Sequence, residues 1–216
     1  APWPFVADLR TGSMSGGSAE QALLSAGVAQ MGTFYDLPTS VPAGMADSKV
    51  PDAQAGFEKA YTTLMAGMAG ANMVHESAGM HASLLGCTLE SFVVDDDMLG
   101  NVMRAIRGIE VTDETLSLDV IADVNVNGPG HYLGHGQTLE LMESEYRYPS
   151  VADRATPQAW EEDGAQNMEE RARDYVRETL AEHYPGHIAP ELDAAIRERF
   201  DIKLDVSDMR PGNDRW

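Results

Sequence analysis

The sequence predicts a parallel α/β region of about three strands followed by an all-helical appendage. Three observations carry this. Apolar, small-residue segments alternate with helical patterns through residues 1–89, as in a sheet covered on both faces. After Gly86 the texture changes to short polar helices. Charge shifts as well, since residues 1–89 hold 7 acids and 3 bases and residues 90–216 hold 28 and 12. The first part therefore reads as buried and the second as a solvated shell. The predicted divisions are 1–89, a helical region over 90–204, and a frayed tail over 205–216.

Residues 2–10 look like the end of a strand running into a Gly/Ser-rich loop at 11–17. Ser18 and Gln21 have capping-box spacing, which predicts a helix over 18–35. Residues 37–41 are extended, a glycine-containing loop follows to Val50, and Pro51 suits the first turn of a helix over 52–69. Its Phe57, Tyr61, Leu64, Met65 and Met68 fall at helical spacing, and residues 71–75 read as another buried strand. Further helices are predicted over 97–108, 112–124 and 138–146. A long one runs from the Thr156-Pro157 start to His183, with Gly164 as a kink or boundary, and a last one covers 190–200. A closed eight-stranded barrel needs roughly 250 residues. So few strands suggest the C-terminal part of a longer protein.

The chain has 216 residues, 43% hydrophobic and 23% charged, enough apolar mass for a core. No apolar run approaches the roughly 18 residues of a membrane helix. Residues 64–74 come nearest and are broken by Gly67, Gly70 and Asn72. A net charge of -20 repels phosphate backbones and acidic lipid surfaces, so neither nucleic acid nor membrane is expected as a partner. Cys87 is the only cysteine, which rules out an internal disulfide and fits a reducing, cytoplasmic setting; the start has no signal-peptide pattern.

Ligands of parallel α/β folds sit at the carboxyl ends of the strands. By that geometry the candidate segments are 8–12, 44–54 and 75–81. In the second, Asp47, Lys49 and Asp52 gather near a helix N-terminus. Capping by Asp52 and a surface Lys49–Asp47 pair compete there with ligand contact. His75 ends an apolar strand beside Glu76, as either a hydrogen-bonded core imidazole or a functional one. His131 and His135 have a metal-pair spacing, but flanking glycines oppose the helix such a pair uses and no third ligand is evident, so no metal site is expected. Gly128-Pro129-Gly130 lacks the strand–turn–helix context of a dinucleotide fingerprint. Cys87 is expected to be packed, and Met65, Met68, Met73 and Met80 to fill core gaps. Trp3, Phe34, Tyr35 and Tyr61 could furnish an aromatic face for a cation.

Several motifs then occur in a fixed order. They are Val6-Ala7-Asp8-Leu9-Arg10-Thr11-Gly12, Lys49-Val50-Pro51-Asp52-Ala53-Gln54-Ala55-Gly56-Phe57-Glu58 and Gly70-Ala71-Asn72-Met73-Val74-His75. Gly108-Ile109-Glu110-Val111-Thr112-Asp113-Glu114-Thr115-Leu116 and Gly130-His131-Tyr132-Leu133-Gly134-His135 with Thr138-Leu139-Glu140 follow. Together, up to about Phe200, they resemble the corrinoid-dependent trimethylamine methyltransferase family. The Lys49 segment is similar to that family's loop after the seventh barrel strand, and the Gly70 segment to its eighth strand.

The resemblance implies part of a (β/α)8 TIM barrel, without its earlier strands, plus a C-terminal helical extension. It also implies methyl transfer from an N-methylated amine to the Co(I) of a cognate corrinoid protein, with no cofactor bound directly by this chain. Members acting on trimethylamine use pyrrolysine, and Met45 stands near that position. Relatives without it resemble enzymes for quaternary amines such as glycine betaine, which is therefore the expected donor class. His75 is expected to contact substrate, with Asp47, Lys49, Asp52 and Gln54 shaping the loop over the mouth and Tyr35 and Glu76 behind them. The catalytic residue is unassigned. Open edges of a partial barrel predict a homo-oligomer. The alternatives are a non-catalytic module that binds quaternary ammonium compounds or docks the corrinoid protein, and a metal-dependent hydrolase using His131 and His135.

Overall fold

The computed structural model describes residues 2–183 and 186–209. The chain is mixed α/β, mostly helical, and divides into two compact units that meet in sequence between Asp153 and Arg154. No closed barrel forms among the described residues.

The first unit opens differently from the expected strand. Ala7 bridges Met14 in antiparallel fashion, Asp8 N donates to Ser13 O at 2.8 Å, and Ser15 N donates to Val6 O at 2.8 Å. The segment turns back on itself because the Asp8 carboxylate takes the Arg10 backbone N–H at 2.8 Å and its guanidinium at 2.6 Å. Helix α1 (Ala19–Phe34) then starts at Ser18, whose Oγ accepts from Gln21 N at 3.2 Å. Gln21 does not complete a reciprocal capping box. Its fully buried amide accepts from Val6 N at 3.2 Å and donates to Pro4 O at 2.8 Å, tying the opening segment to the helix. A Cβ on Gly32 would lie 1.8 Å from Thr39 Cγ2, so only glycine lets the chain return so closely beneath α1.

Strand β1 (Ser40–Pro42), helix α2 (Ala53–Met68) and strand β2 (Met73–His75) form a β-α-β unit. The strands pair in parallel with Val41 opposite Val74 and Pro42 opposite His75. Val41, Ala43 and Ala66 make its small core, with Val28, Ala71 and Val74 packed against them. Two parallel strands thus stand where about three were expected.

Helix α2 faces the other way round from its apolar stripe. Phe57, Met65 and Met68 are exposed, while Glu58, Lys59, Thr62 and Thr63 are buried with Ala55 and Ala66. The inward face tolerates polar groups because most have partners. Thr62 Oγ1 donates to Glu58 O at 2.7 Å and accepts from Gly44 N at 3.0 Å. Met73 is also exposed, so β2 is not a fully buried strand and these methionines do not fill the core.

A short antiparallel pair, β3 (Met80–His81) and β4 (Gly86–Cys87), follows. It leads into α3 (Leu89–Arg107), which begins well before residue 97 because Thr88 Oγ1 caps Ser91 N at 3.1 Å. Asp97, instead of opening a helix, is buried within α3. It accepts from Ser150 N and Val151 N at 2.7 Å each, from Ala152 N at 2.9 Å and from Arg147 at 3.2 Å. The expected helix over 112–124 is split into α4 (Asp113–Leu116) and α5 (Leu118–Asn125) by Ser117 at φ 50°. Helix α6 (Gly136–Glu145) completes the helices of the unit.

In the second unit the Thr156 cap opens α7 (Pro157–Glu162), and Asn167 with Glu170 forms a reciprocal capping box on α8 (Met168–Glu182). The break between them falls at Gly164, φ 96°, and Ala165, φ 54°. Helix α9 (Pro190–Arg199) and a 3-10 turn (Val206–Met209) follow, and residues 210–216 of the expected tail lie outside the described residues. Among the described residues no helix is long and apolar enough to cross a membrane.

Burial alone would raise the Asp97 pKa, but its three backbone donors and Arg147 outweigh it and hold the carboxyl below its usual range. Its stabilising contribution is therefore present above the unfolded carboxylate pKa and lost as pH falls through the folded value. Asp97→Ala should cost about 3 kcal/mol in urea unfolding at neutral pH. That difference from the wild type should shrink below about pH 4.

Candidate functional site

The loops leaving β1 and β2 are joined at the carboxyl ends of the parallel pair. Ala43 N donates to His75 O at 3.1 Å, Ala46 N to Met80 O at 3.2 Å and Ala82 N to Ser48 O at 2.8 Å. Gly44, at φ 88°, passes so near the second loop that a Cβ there would sit 2.5 Å from Ser77 Cα.

Asp47 holds three segments together. Its carboxylate accepts from Ser15 Oγ at 2.6 Å, from Gly17 N at 3.2 Å and from Ser83 Oγ. Lys49 does not pair with this carboxylate; its Nζ donates to the Asp47 carbonyl at 2.6 Å and the side chain is exposed. Beneath them the buried Glu58 carboxylate accepts from Asp47 N at 2.7 Å and from Gln54 Nε2 at 2.8 Å. Asp52 caps α2 through Ala55 N at 2.9 Å. That backbone donor, followed by Ser48, sets its carboxyl below the usual range. Met45 is fully buried, and a Cβ at Gly16 would come within 3.0 Å of its Cβ.

His75 ends β2 with its ring 4.7 Å from that of Trp3, tilted by 52°. Glu76 follows in a left-handed conformation, φ 61°, with its Oε2 buried and without a hydrogen-bond partner. Tyr35 is elsewhere. It caps the C-terminus of α1, exposed and edge-on to Phe34 at 5.0 Å, on the side where the chain enters β1. The aromatic residues form separate ring pairs, Trp3 with His75, Phe34 with Tyr35 and Phe57 with Tyr61, and not one common face.

Sequence reasoning missed the groups beneath the loops. Lys59 Nζ meets Asp95 Oδ2 at 2.6 Å with both side chains buried, and the same oxygen accepts from Gly79 N at 2.6 Å. Burial outweighs Lys59 in raising the Asp95 pKa. His81 shares a 2.5 Å hydrogen bond with Ser91 Oγ through Nε2, while its Nδ1 is buried without a partner. Burial and then the Lys59 charge lower its pKa, which keeps the imidazole neutral at pH 7. The available signal was Lys59, Thr62 and Thr63 on the face of α2 opposite Phe57 and Met68.

A cleft of about 570 Å³ lies beside Asp47, lined by Asp8, Glu20, Glu58, Phe57 and Tyr61 among others. The Tyr61 hydroxyl donates to the Gly17 carbonyl, and burial followed by the Glu58 and Asp47 charges raises its pKa. Arg10 lines the cleft too and pairs with Asp8 at 2.6 Å, so its charge is mixed. Among the described residues no three His, Cys, Asp or Glu side chains are grouped to hold a metal ion. His135 caps α6, accepting from Gln137 N at 3.1 Å through Nδ1. Cys87 is exposed, not packed, because β4 pairs only with β3.

The pattern of the family described as trimethylamine methyltransferase matches residues 1–204. Glycine betaine methyltransferase of Desulfitobacterium hafniense (strain Y51) is 32% identical over 89% of this chain and 40% of its own length. Trimethylamine methyltransferase of Methanosarcina thermophila is 36% identical over 82% of the chain and 36% of its own. The Methanosarcina barkeri protein of that name is 35% identical over 93% and 39%. The chain therefore spans about two fifths of the length of these relatives.

Removing one partner of a buried pair strands the other charge. Lys59→Met and Asp95→Leu should each cost about 3–5 kcal/mol, and the double variant should recover much of the loss, measured by urea unfolding. Asp52→Ala should lower the urea midpoint, whereas Asp52→Asn should leave it nearly unchanged, as expected of a helix cap.

Proposed function

The chain belongs to the trimethylamine methyltransferase family, and from that premise we propose that it serves transfer of a methyl group from an N-methylated amine to the Co(I) of a cognate corrinoid protein. The donor in this proposal is a quaternary amine such as glycine betaine. The family match over residues 1–204 carries it, and that match includes both loops at the carboxyl ends of β1 and β2. In the same proposal β1, α2 and β2 belong to the last units of a (β/α)8 barrel. Residues 1–89 are its barrel portion, 90–204 a helical extension and 205–216 a tail, in a cytoplasmic protein.

The corrinoid is cargo of the partner, enters as the methyl acceptor and supplies a nucleophilic cobalt. As the methyl group leaves, the C–N bond breaks and its electron pair stays on nitrogen, so a quaternary donor departs as a neutral amine. No proton has to be moved for that departure, and the protein's contribution is alignment. The His75–Trp3 ring pair and the Glu76 carboxylate supply an aromatic surface and a counter-charge for the ammonium. Lys49 offers an exposed ammonium to a substrate carboxylate, on a loop held in shape by Asp47, Asp52 and Gln54 and packed through Met45.

The whole protein, mixed with its corrinoid partner held as Co(I), should demethylate a quaternary amine faster than trimethylamine, followed by cobalt absorbance. His75→Ala should lower kcat/KM by about tenfold or more. Ligand binding without conversion of any donor would favour the binding module.

Each parallel strand has one unpaired edge among the described residues, which supports self-association of this chain. Light scattering on the isolated chain should give a mass above the monomer, and a monomer across the concentration range would count against it.

A further inference from the structure

Residues 60–153 carry fourteen acidic side chains and only three basic ones, Arg104, Arg107 and Arg147. All three line one groove of about 490 Å³, between the last turn of α3 and residues 144–147, with Met103, Ile106 and Tyr146 as its apolar walls. The helix dipole explains cations at the end of α3. It does not explain the convergence of Arg147 and an exposed tyrosine on the same place.

The charges in the groove do not cancel. Arg147 is matched by the buried Asp97 at 3.2 Å. Arg104 and Arg107, however, share a single carboxylate oxygen, Glu145 Oε2, at 3.0 Å each. Each Arg104 nitrogen has a partner, Nε on the Glu145 carbonyl at 2.8 Å, Nη1 on the Gly108 carbonyl at 3.0 Å and Nη2 on the Glu145 carboxylate. Arg107 bonds only through Nη2, to the Ser144 carbonyl at 2.9 Å and to Glu145. Its Nε and Nη1 have no partner among the described residues, and its side chain is 49% exposed. Met103, Tyr146 and Tyr148 are exposed around it, and the two tyrosine rings stack 6.5 Å apart.

We propose that this groove docks an acidic, apolar-flanked segment of a partner protein, with the partner's carboxylate on Arg107 and its apolar side chain against Met103 and Tyr146. Arginine and tyrosine beside exposed methionine form the composition of an interface centre. The surplus positive charge selects a carboxylate. Electrostatics also set the orientation, because a chain of net charge -20 repels an acidic partner elsewhere on its surface. Extended polyanions meet that same repulsion, so a short protein segment suits the groove better than a nucleic acid. Glu145 already occupies the fork from within, and an incoming carboxylate competes with it.

The test is fluorescence anisotropy of a labelled peptide alternating aspartate with leucine, against its asparagine counterpart, on the intact chain. The aspartate peptide should bind, and its affinity should fall as salt rises from about 50 to about 200 mM. Arg107→Glu and Tyr146→Ala should each weaken it about tenfold or more. Glu145→Gln should tighten binding, a gain that misfolding would not produce. The proposal is overturned if neither peptide binds, if both bind equally, or if Arg107→Glu or Glu145→Gln leaves affinity unchanged. Displacement by inorganic phosphate at matched ionic strength would overturn it in favour of a small-anion site.

Discussion

The ion pair between Lys59 and Asp95 is the constraint on which the rest of the first unit depends. Both side chains are buried at a 2.6 Å separation, and neither charge has water to fall back on. The pair therefore dictates that α2 turn its polar face inward and that α3 run alongside it. Through Gly79 N on the same Asp95 oxygen, it also fixes the loop that leaves β2. An apolar contact would hold two helices together at many rotations. A hydrogen-bonded charge pair holds them at one, and that one places His75, Glu76 and Asp47 at a shared end of the parallel strands.

Charges that hold the structure are distinct from those left available. Asp47, Glu58, Asp95 and Asp97 are occupied by donors from the chain itself, so their acidity builds loops. Glu76 differs, since one of its oxygens is buried without a donor on a left-handed backbone, at the place where the proposed mechanism requires negative charge without a proton donor. A quaternary ammonium has no N–H to offer. A carboxylate that lacks a hydrogen-bond donor is chemically matched to such a ligand.

What the sequence disclosed was local. Ser18 and Thr156 mark helix starts because a cap is decided within three residues, and both cap the helices they were expected to open, while Asp52 takes the capping role that competed with ligand contact and leaves Pro51 outside α2. The parallel relation of β1 and β2 was legible from the helix between them. What stayed hidden was set at long range. The apolar stripe of α2 points outward because Asp95, more than thirty residues away, claims Lys59. Gln21 leaves its capping box for the backbone of Val6 and Pro4. Ser117 splits a helical pattern with a left-handed residue that propensity does not foresee. Of the candidate residues, His75, Glu76 and Asp47 do share one end of the strands, while Tyr35 belongs to the opposite end. The helix predicted over 18–35 already ends at Tyr35, which puts that residue where the chain enters β1 and away from the strands' carboxyl ends.

The exposed thiol of Cys87 has a practical consequence. It is the only sulfhydryl in the chain, and it sits on β4, across from Met80 in the hairpin that joins the β2 loop to α3. A maleimide dye or nitroxide label would attach there and nowhere else. The chain thus carries a built-in spectroscopic handle eleven residues after Glu76, just ahead of the Thr88 cap of α3.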